Sequence, residues 1–211
     1  MLKYANQNKP RTEEEKEQII ENAAKAYEKY MDALGFDWRN DPNSADTPKR
    51  VAKAFVNDLG SGCYADKPKI TAFDNVDKYD GLVCQTNIPV VSMCSHHHAP
   101  FLGVAHVAYI PTVNGKIIGL SKLNRIVDFF ARRPQVQESL NNQICSYIDE
   151  ICEDNRGVAV VIEAKHTCCS SRGIKHNSTM RTAKMTGVFL EKDNNARNEF
   201  YKFVEFAHSE N

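Results

Sequence analysis

Residues 119–168, GLSKLNRIVDFFARRPQVQESLNNQICSYIDEICEDNRGVAVVIEAKHTC, carry the pattern that decides the fold. Ser121 is placed to cap a first helix, whose apolar face is Leu123, Ile126, Val127 and Phe130. Pro134 opens a second helix, whose apolar face is Val136, Leu140, Ile144, Ile148 and Ile151. After the turn DNRG, the apolar and β-branched run GVAVVIEAKHTC predicts a long strand. This stretch therefore predicts two helices and a strand of an α+β domain.

Short runs of β-type sequence lie on both sides of this stretch. KITAF, GLVCQTNIPVVSMC and GVAHVAYIP precede it, and a turn at Asn114-Gly115 leads into KIIGL. MTGVF follows it as another strand, and then NARNEFYKFVEFA as an amphipathic helix. Strands, then two helices, then strands predict an α+β domain with an antiparallel sheet over residues 63–211.

Two further helices are predicted before the sheet, in residues 1–62, which we expect to form a helical N-terminal appendage. Residues 12–34 are rich in Glu, Ala and Lys with apolar residues at helical spacing. The second helix lies in DTPKRVAKAFVNDLGSG, with Asp46 or Thr47 as its cap and Pro48 at its first position. Its expected apolar face is Val51, Ala54, Phe55 and Leu59.

Charge and hydropathy exclude several classes of function. The chain has 27 Lys+Arg and 27 Asp+Glu, whereas nucleic acid and membrane surfaces attract a basic excess, so we expect neither as a partner. The longest apolar run, Val158 to Ile162, is far shorter than the roughly 20 residues that cross a bilayer. The start, MLKYANQNKPRTEEEKEQ, lacks the apolar centre of a secretory signal, and seven irregularly spaced cysteines do not indicate a disulfide framework. We therefore expect a cytoplasmic protein.

Cysteines and histidines indicate a metal site. Cys94 and His97 form a Cys-x-x-His pair, a spacing that lets both side chains reach one ion. Side chains alternate along a strand, so His166 and Cys168 are expected to share a face. Cys94, His97 and Cys168 would offer zinc two thiolates and an imidazole, with a fourth position open to water as in catalytic sites. There are two alternatives. One is a closed four-ligand site that includes Cys169, and the other is an exposed polar loop of histidines beside cysteines that are simply buried thiols.

Cations near a helix start indicate an anion site. Ser121 and the free amides of the first turn after GLS can bind an anion, and Lys122 and Arg125 add charge beside them. Further cations are Arg50, Lys53 and Arg172. In a chain without net charge this clustering favours a polyphosphate, although each residue taken alone is better explained as a solvated charge.

Gln137 and Glu138 open the following helix and are candidates for recognising a purine edge, because both side chains accept hydrogen bonds. The alternative for Glu138 is a simple electrostatic role, since a carboxylate is favourable at a helix N-terminus. The pair alone is a weak indication of purine binding.

Several long motifs together resemble the GTP cyclohydrolase I family. They are DTPKRVAKAF, SMCSHHHAPFLGVAHVAYIP, GLSKLNRIV, RRPQVQESL and EAKHTCCSSRG, and the resemblance runs from about residue 12 to the C-terminus. It implies a T-fold, that is, an antiparallel sheet with two antiparallel helices on one face. It implies a homo-oligomer, a decamer with active sites at subunit interfaces. It also implies that GTP and water are converted to 7,8-dihydroneopterin triphosphate and formate.

The resemblance implies a role for each matched residue. The zinc ligands are Cys94, His97 and Cys168. It implies that His96 and His166 transfer protons and that Ser121, a triphosphate contact, belongs to the catalytic set. The substrate-binding residues are Arg50, Lys53, Lys122, Arg125 and Arg172 for the triphosphate and Gln137 and Glu138 for guanine. Ser95 stands where the family commonly has Glu, and His98 adds an imidazole beside the ligands. The effect of Ser95 and the division of labour between the two histidines stay open.

Two other functions compete with this one. A nitrile reductase of the same fold would use a catalytic cysteine and a nicotinamide cofactor, and the Cys-x-x-His and His-x-Cys patterns argue against it. A zinc-stabilised interaction protein without activity would have Ser95 as its marker, and the complete set of histidines and cations argues against it. The sequence does not distinguish folate, tetrahydrobiopterin and deazaguanine synthesis as the destination of the product.

Overall fold

A computed structural model describes residues 3–7 and 9–209 of the chain. These residues divide between an N-terminal unit that ends at Lys67 and a larger unit that begins at Pro68. Residues 1, 2 and 8, which belong to the start that was predicted not to be a secretory signal, lie outside the described residues. Within those residues, no helix has both the length and the apolar character that crossing a bilayer requires.

The described residues of the N-terminal unit form two α-helices, α1 (Glu13–Ala33) and α2 (Thr47–Ala54), and α2 continues as a π-helical turn over Phe55–Leu59. Thr12 caps α1, because its hydroxyl accepts the Glu15 amide at 3.2 Å while the Glu15 carboxylate accepts the Thr12 amide at 2.9 Å. This reciprocal pair fixes the start of α1 where the sequence predicted it.

The predicted apolar face of α2 is wrong at two of its four positions. Val51 and Ala54 are exposed, whereas Ala52 and Val56 are buried with Ile20 of α1, and Phe55 packs against this cluster as predicted. Two overlapping sets of residues in this helix satisfy helical spacing, and packing against α1 selects one of them.

In the larger unit, the residues that the structure describes form seven strands in two sheets. The strands are β1 (Ala72–Asp74), β2 (Val83–Cys94), β3 (Pro100–Ile110), β4 (Lys116–Ile118), β5 (Pro134–Gln135), β6 (Gly157–His166) and β7 (Thr179–Met185). The main sheet has the order β5-β2-β3-β6-β7, and β1 pairs with β4 in a separate antiparallel sheet. The expected antiparallel pairing is observed from β2 to β7, whereas the two-residue β5 joins β2 in parallel.

Helices cover both faces of the main sheet. On one face, α3 (Leu120–Ala131) and α4 (Gln137–Ile151) pack against inward side chains that include Val160 and Ile162 of β6. On the other face, α6 (Ala196–Ser209) packs against Ala159 and Val161 of the same strand. Alternate residues of β6 thus enter two cores, which explains why its sequence is apolar without interruption. The predicted α+β class is confirmed.

Three predictions about local structure need correction. Pro134, which was expected to open the second helix, lies in β5, and α4 begins at Gln137. The helix that was expected to be capped by Ser121 begins at Leu120, with Gly119 as its N-cap, so Ser121 lies inside the first turn. The MTGVF strand is also wrong, because β7 ends at Met185 and a 3-10 turn follows. Gly187 has a φ of +52°, and a Cβ there would lie 2.0 Å from the Arg156 carbonyl oxygen. The chain turns at this glycine instead of extending.

Candidate active site

The candidate site lies at the end of the main sheet where β2 stops, β3 starts and β6 stops. The β2–β3 register pairs Met93 with Pro100, and the β3–β6 register pairs Phe101 with His166. These pairings bring Cys94, the last residue of β2, to the same edge as His166. The side chains at this edge are therefore positioned by three adjacent strands.

Cys168 reaches this edge from a short helical turn, α5 (Thr167–Ser170), that follows β6 directly. The expectation that His166 and Cys168 share a strand face is therefore wrong, because the strand ends at His166. The Thr167 hydroxyl donates to the Pro100 carbonyl at 2.6 Å and ties α5 to the start of β3.

Cys94, His166 and Cys168 form a candidate metal centre. One ligand atom from each lies within 4.8 Å of the other two. Burial raises the pKa of the Cys168 thiol, and the neighbouring Cys94 raises it further. Two adjacent thiols resist ionisation without a cation, and a divalent cation reverses that preference. Two sulfurs and an imidazole nitrogen form a donor set that suits zinc.

His97, predicted to ligate a metal together with the two cysteines, is not one of the three residues of this cluster. It lies in a turn closed by two backbone bonds of 2.9 Å, from His98 N–H to the Cys94 carbonyl and from Cys94 N–H to the Ala99 carbonyl. Its Nε2 accepts a hydrogen bond from the Arg172 guanidinium at 2.8 Å. The structure thus brings Cys94 and Cys168 together and places His166 beside them, and ligation by His97 stays a prediction.

A pocket of about 300 Å³ opens beside the three candidate ligands. Its other lining residues are His96, Val136, Gln137, Glu138, Cys169, Ser178 and Met180. His96, Gln137 and Glu138 are predicted site residues. Ser178 and Met180 were not predicted, because the sequence pattern placed the next strand at MTGVF, beyond both residues. Locating β7 correctly in the sequence would have placed them next to the end of β6.

The His166 ring is held by two neighbours. It stacks on Phe101 with ring centroids 4.5 Å apart and an interplanar angle of 10°. Its Nε2 lies 2.9 Å from Oε1 of Gln137. Burial lowers the pKa of His166, and the nearby His96 lowers it further. The negative charge of Glu138 raises the same pKa and partly offsets these effects. The ring is therefore favoured in its neutral form, which can accept or relay a proton.

The predicted phosphate-binding residues are divided between the two units of the chain. Ser121, Lys122 and Arg125 lie in the first two turns of α3, and the pocket lining in the described part of the chain includes none of them. Arg172 contacts His97. Arg50 and Lys53 lie in the N-terminal unit on α2, where Arg50 pairs with Asp46 at 3.2 Å. Their contact with a triphosphate stays a prediction.

An α+β domain that gathers two thiols and an imidazole beside a pocket defines a candidate metalloenzyme. The family model of GTP cyclohydrolase I matches residues 23–205. The chain belongs to the GTP cyclohydrolase I family.

Curated relatives agree with this assignment over most of their length. The chain is 44% identical over 195 residues to the GTP cyclohydrolase 1 of Flavobacterium johnsoniae, which covers 92% of this chain and 83% of the relative. It is 45% identical over 186 residues to that of Wigglesworthia glossinidia brevipalpis, with 87% and 83% covered. It is 45% identical over 181 residues to that of Pseudoalteromonas translucida, with 84% and 95% covered.

Proposed function

We propose that the protein hydrolyses GTP to 7,8-dihydroneopterin triphosphate and formate at the pocket beside Cys94 and Cys168. The observation that carries the proposal is the convergence of these two thiols, His166 and Glu138 on one pocket in a member of this family. The reaction requires activated water, proton transfer to a purine and recognition of guanine. The lining offers a residue type suited to each of these tasks.

Zinc is the proposed cofactor, with Cys94, Cys168 and His97 as its ligands. The two thiols already face one another, and His97 is an exposed residue of the turn that follows Cys94. To bind the metal, His97 would have to give up its hydrogen bond with Arg172. The less exposed His166 would keep its hydrogen bond to Gln137. Zinc, when bound, supplies Lewis-acid activation of water for attack on the purine.

His96 and His166 are the proposed proton-transfer groups. Both line the pocket, and the neutral imidazole favoured at His166 can take a proton and return it as the purine ring opens. Glu138 is the proposed guanine-binding residue, because its exposed carboxylate lines the same pocket and can accept hydrogen bonds from N1–H and the 2-amino group.

We propose that a neighbouring subunit supplies part of the phosphate site, in a T-fold homodecamer. The support is that Ser121, Lys122 and Arg125 do not line the pocket within the described part of one chain. The proposed division of the chain is the predicted one, a helical appendage over 1–62 and a catalytic domain over 63–211. The proposed location is the cytoplasm.

Mixing two impaired variants tests the shared site. With GTP well below KM, Arg125→Ala is expected to keep about a tenth of the parent's activity or less, because it loses a phosphate contact, and Cys168→Ser to have none, because it loses a metal ligand. If each site combines residues of two chains, oligomers co-expressed from both variants contain some sites with neither defect and regain activity. A mixture as inactive as its parents would place the whole site in one chain.

The activity itself is tested by incubating the zinc-loaded protein with GTP and measuring the fluorescent pterin formed after oxidation. We expect pterin from GTP, loss of the signal after chelation and its return with added zinc. Release of phosphate from GTP without any pterin would contradict the proposed function.

A further inference from the structure

Gln137 makes a set of hydrogen bonds that its predicted role in guanine binding does not explain. The residue is the first of α4 and is 1% exposed. Its Nε2 lies 2.9 Å from the Ile162 carbonyl oxygen, 3.2 Å from that of Met180 and 3.0 Å from Thr182 Oγ1. Its Oε1 lies 2.9 Å from Nε2 of His166. The amide thus links α4 to β6, β7 and the candidate site.

The polarity of these contacts fixes which way the amide points. The carbonyls of Ile162 and Met180 can only accept hydrogen bonds, so the Gln137 NH₂ group must face them. The Thr182 hydroxyl donates to Asn141 Oδ1 at 3.2 Å, which leaves Oγ1 as a third acceptor. A flipped amide would set its oxygen against these oxygens, acceptor against acceptor. Oε1 of Gln137 is therefore the atom that faces His166.

This orientation determines the tautomer of the histidine. Because Oε1 can only accept, the His166 nitrogen beside it must carry the hydrogen. In a neutral imidazole the other nitrogen, Nδ1, then holds the free lone pair. The Phe101 ring fixes the plane of the imidazole, and Gln137 fixes its rotation within that plane.

We propose that Gln137 is a positioning residue that holds His166 as the Nε2–H tautomer, so that His166 works through Nδ1. Two main-chain carbonyls fix the orientation of the Gln137 amide, and the amide oxygen fixes which nitrogen of the imidazole carries the hydrogen. The side chain is buried and its polar atoms are engaged within the protein, so contact with a purine would require breaking these bonds. The catalytic consequence rests on the proposed function, whereas the tautomer itself does not.

The tautomer is measured directly by ¹⁵N NMR of protein labelled at histidine, with the His166 signals identified by their loss in His166→Gln. We expect a protonated Nε2 and an unprotonated Nδ1 in the purified parent protein. A protonated Nδ1, or rapid exchange between the two forms, would overturn the proposal without any Gln137 variant. If the expected tautomer is found in a protein that does not convert GTP, the positioning role stands and the proposed function fails.

Variants then test the dependence on Gln137. Gln137→Met removes the acceptor, and we expect the single-tautomer signature to disappear and kcat to fall about 10-fold or more, with KM for GTP nearly unchanged. Gln137→Glu, neutral when buried, can donate O–H to a carbonyl and accept from His166, and it should restore the signature and part of the rate. A raised KM with an unchanged kcat in Gln137→Met would instead indicate a guanine contact and overturn the proposal.

Gln143→Met is the matched control. Gln143 lies further along α4, and its amide donates to Gln135 and to the Ser139 carbonyl, away from His166. Loss of this half-buried amide should lower stability, as in Gln137→Met, and leave the His166 signature unchanged. Equal effects of both variants on the signature would mean that helix packing, and not the Gln137 acceptor, sets the tautomer.

Discussion

Replacing Glu138 by Gln separates guanine recognition from a simple helix-end effect. Glu138 is exposed, is the second residue of α4 and lines the pocket. As a guanine ligand it accepts two charge-assisted hydrogen bonds, each worth about 1.5–3 kcal/mol. Gln retains the shape but turns an NH₂ group toward one of the guanine donors. The expected loss is at least about 3 kcal/mol, or about 100-fold in kcat/KM for GTP.

The helix-end role predicts a much smaller effect. A carboxylate in the first turn contributes about 0.3–1 kcal/mol to stability, and exposure favours the lower end of that range. Glu199→Gln is the matched control, because Glu199 is an exposed carboxylate in the first turn of α6 and the pocket lining does not include it.

Steady-state kinetics and urea unfolding of both variants distinguish guanine recognition from the helix-end effect. We expect similar small losses of stability, with the loss of kcat/KM confined to Glu138→Gln and zinc content unchanged. If Glu138→Gln keeps the parent's kcat/KM, the carboxylate has no part in guanine recognition.

Three further predictions follow from the same structure. Cys168→Ser should strip zinc and abolish turnover while Cys169→Ser retains both, and equal zinc loss, measured by metal analysis, would favour a closed four-ligand site. Arg125→Ala should weaken GTP binding about tenfold or more, and guanosine should be a very poor substrate. Guanosine turnover equal to that of GTP would contradict the assignment of these cations to a triphosphate site. Burial lowers the pKa of His106 below its ordinary 6.5, against the attraction of Glu163. The unfolded chain therefore binds more protons near that pH, and stability should fall as the pH drops through about 6.5. Urea unfolding at about pH 7.5 and pH 5.5 should show a smaller fall for His106→Gln, and an equal fall would contradict this.

Local sequence patterns predicted the helices of the larger unit well, because their apolar residues have one consistent spacing. Leu123, Ile126 and Val127 are buried as expected. The pattern failed where two solutions were equally periodic, as in α2, where only the partner helix selects Ala52 over Val51. It also failed at Gly187, whose positive φ ends an apparently continuous strand.

The sequence could connect Cys94 with Cys168 only because both are suitable metal ligands. Their proximity in space depends on the pairing of strands that are far apart in the chain. The β2–β3–β6 register supplies that information, and no local pattern encodes it. The contact of Gln137 with His166 was missed for the same reason. A helix residue and a strand end meet only after the sheet and α4 have packed.

GTP labelled at C8 tests the central claim most directly. Hydrolysis of the imidazole ring expels C8, so we expect the label to appear in formate, in an amount equal to the pterin triphosphate formed. Label that remains in a purine, or formate released without a pterin, would contradict the assignment of this pocket to the hydrolysis of GTP.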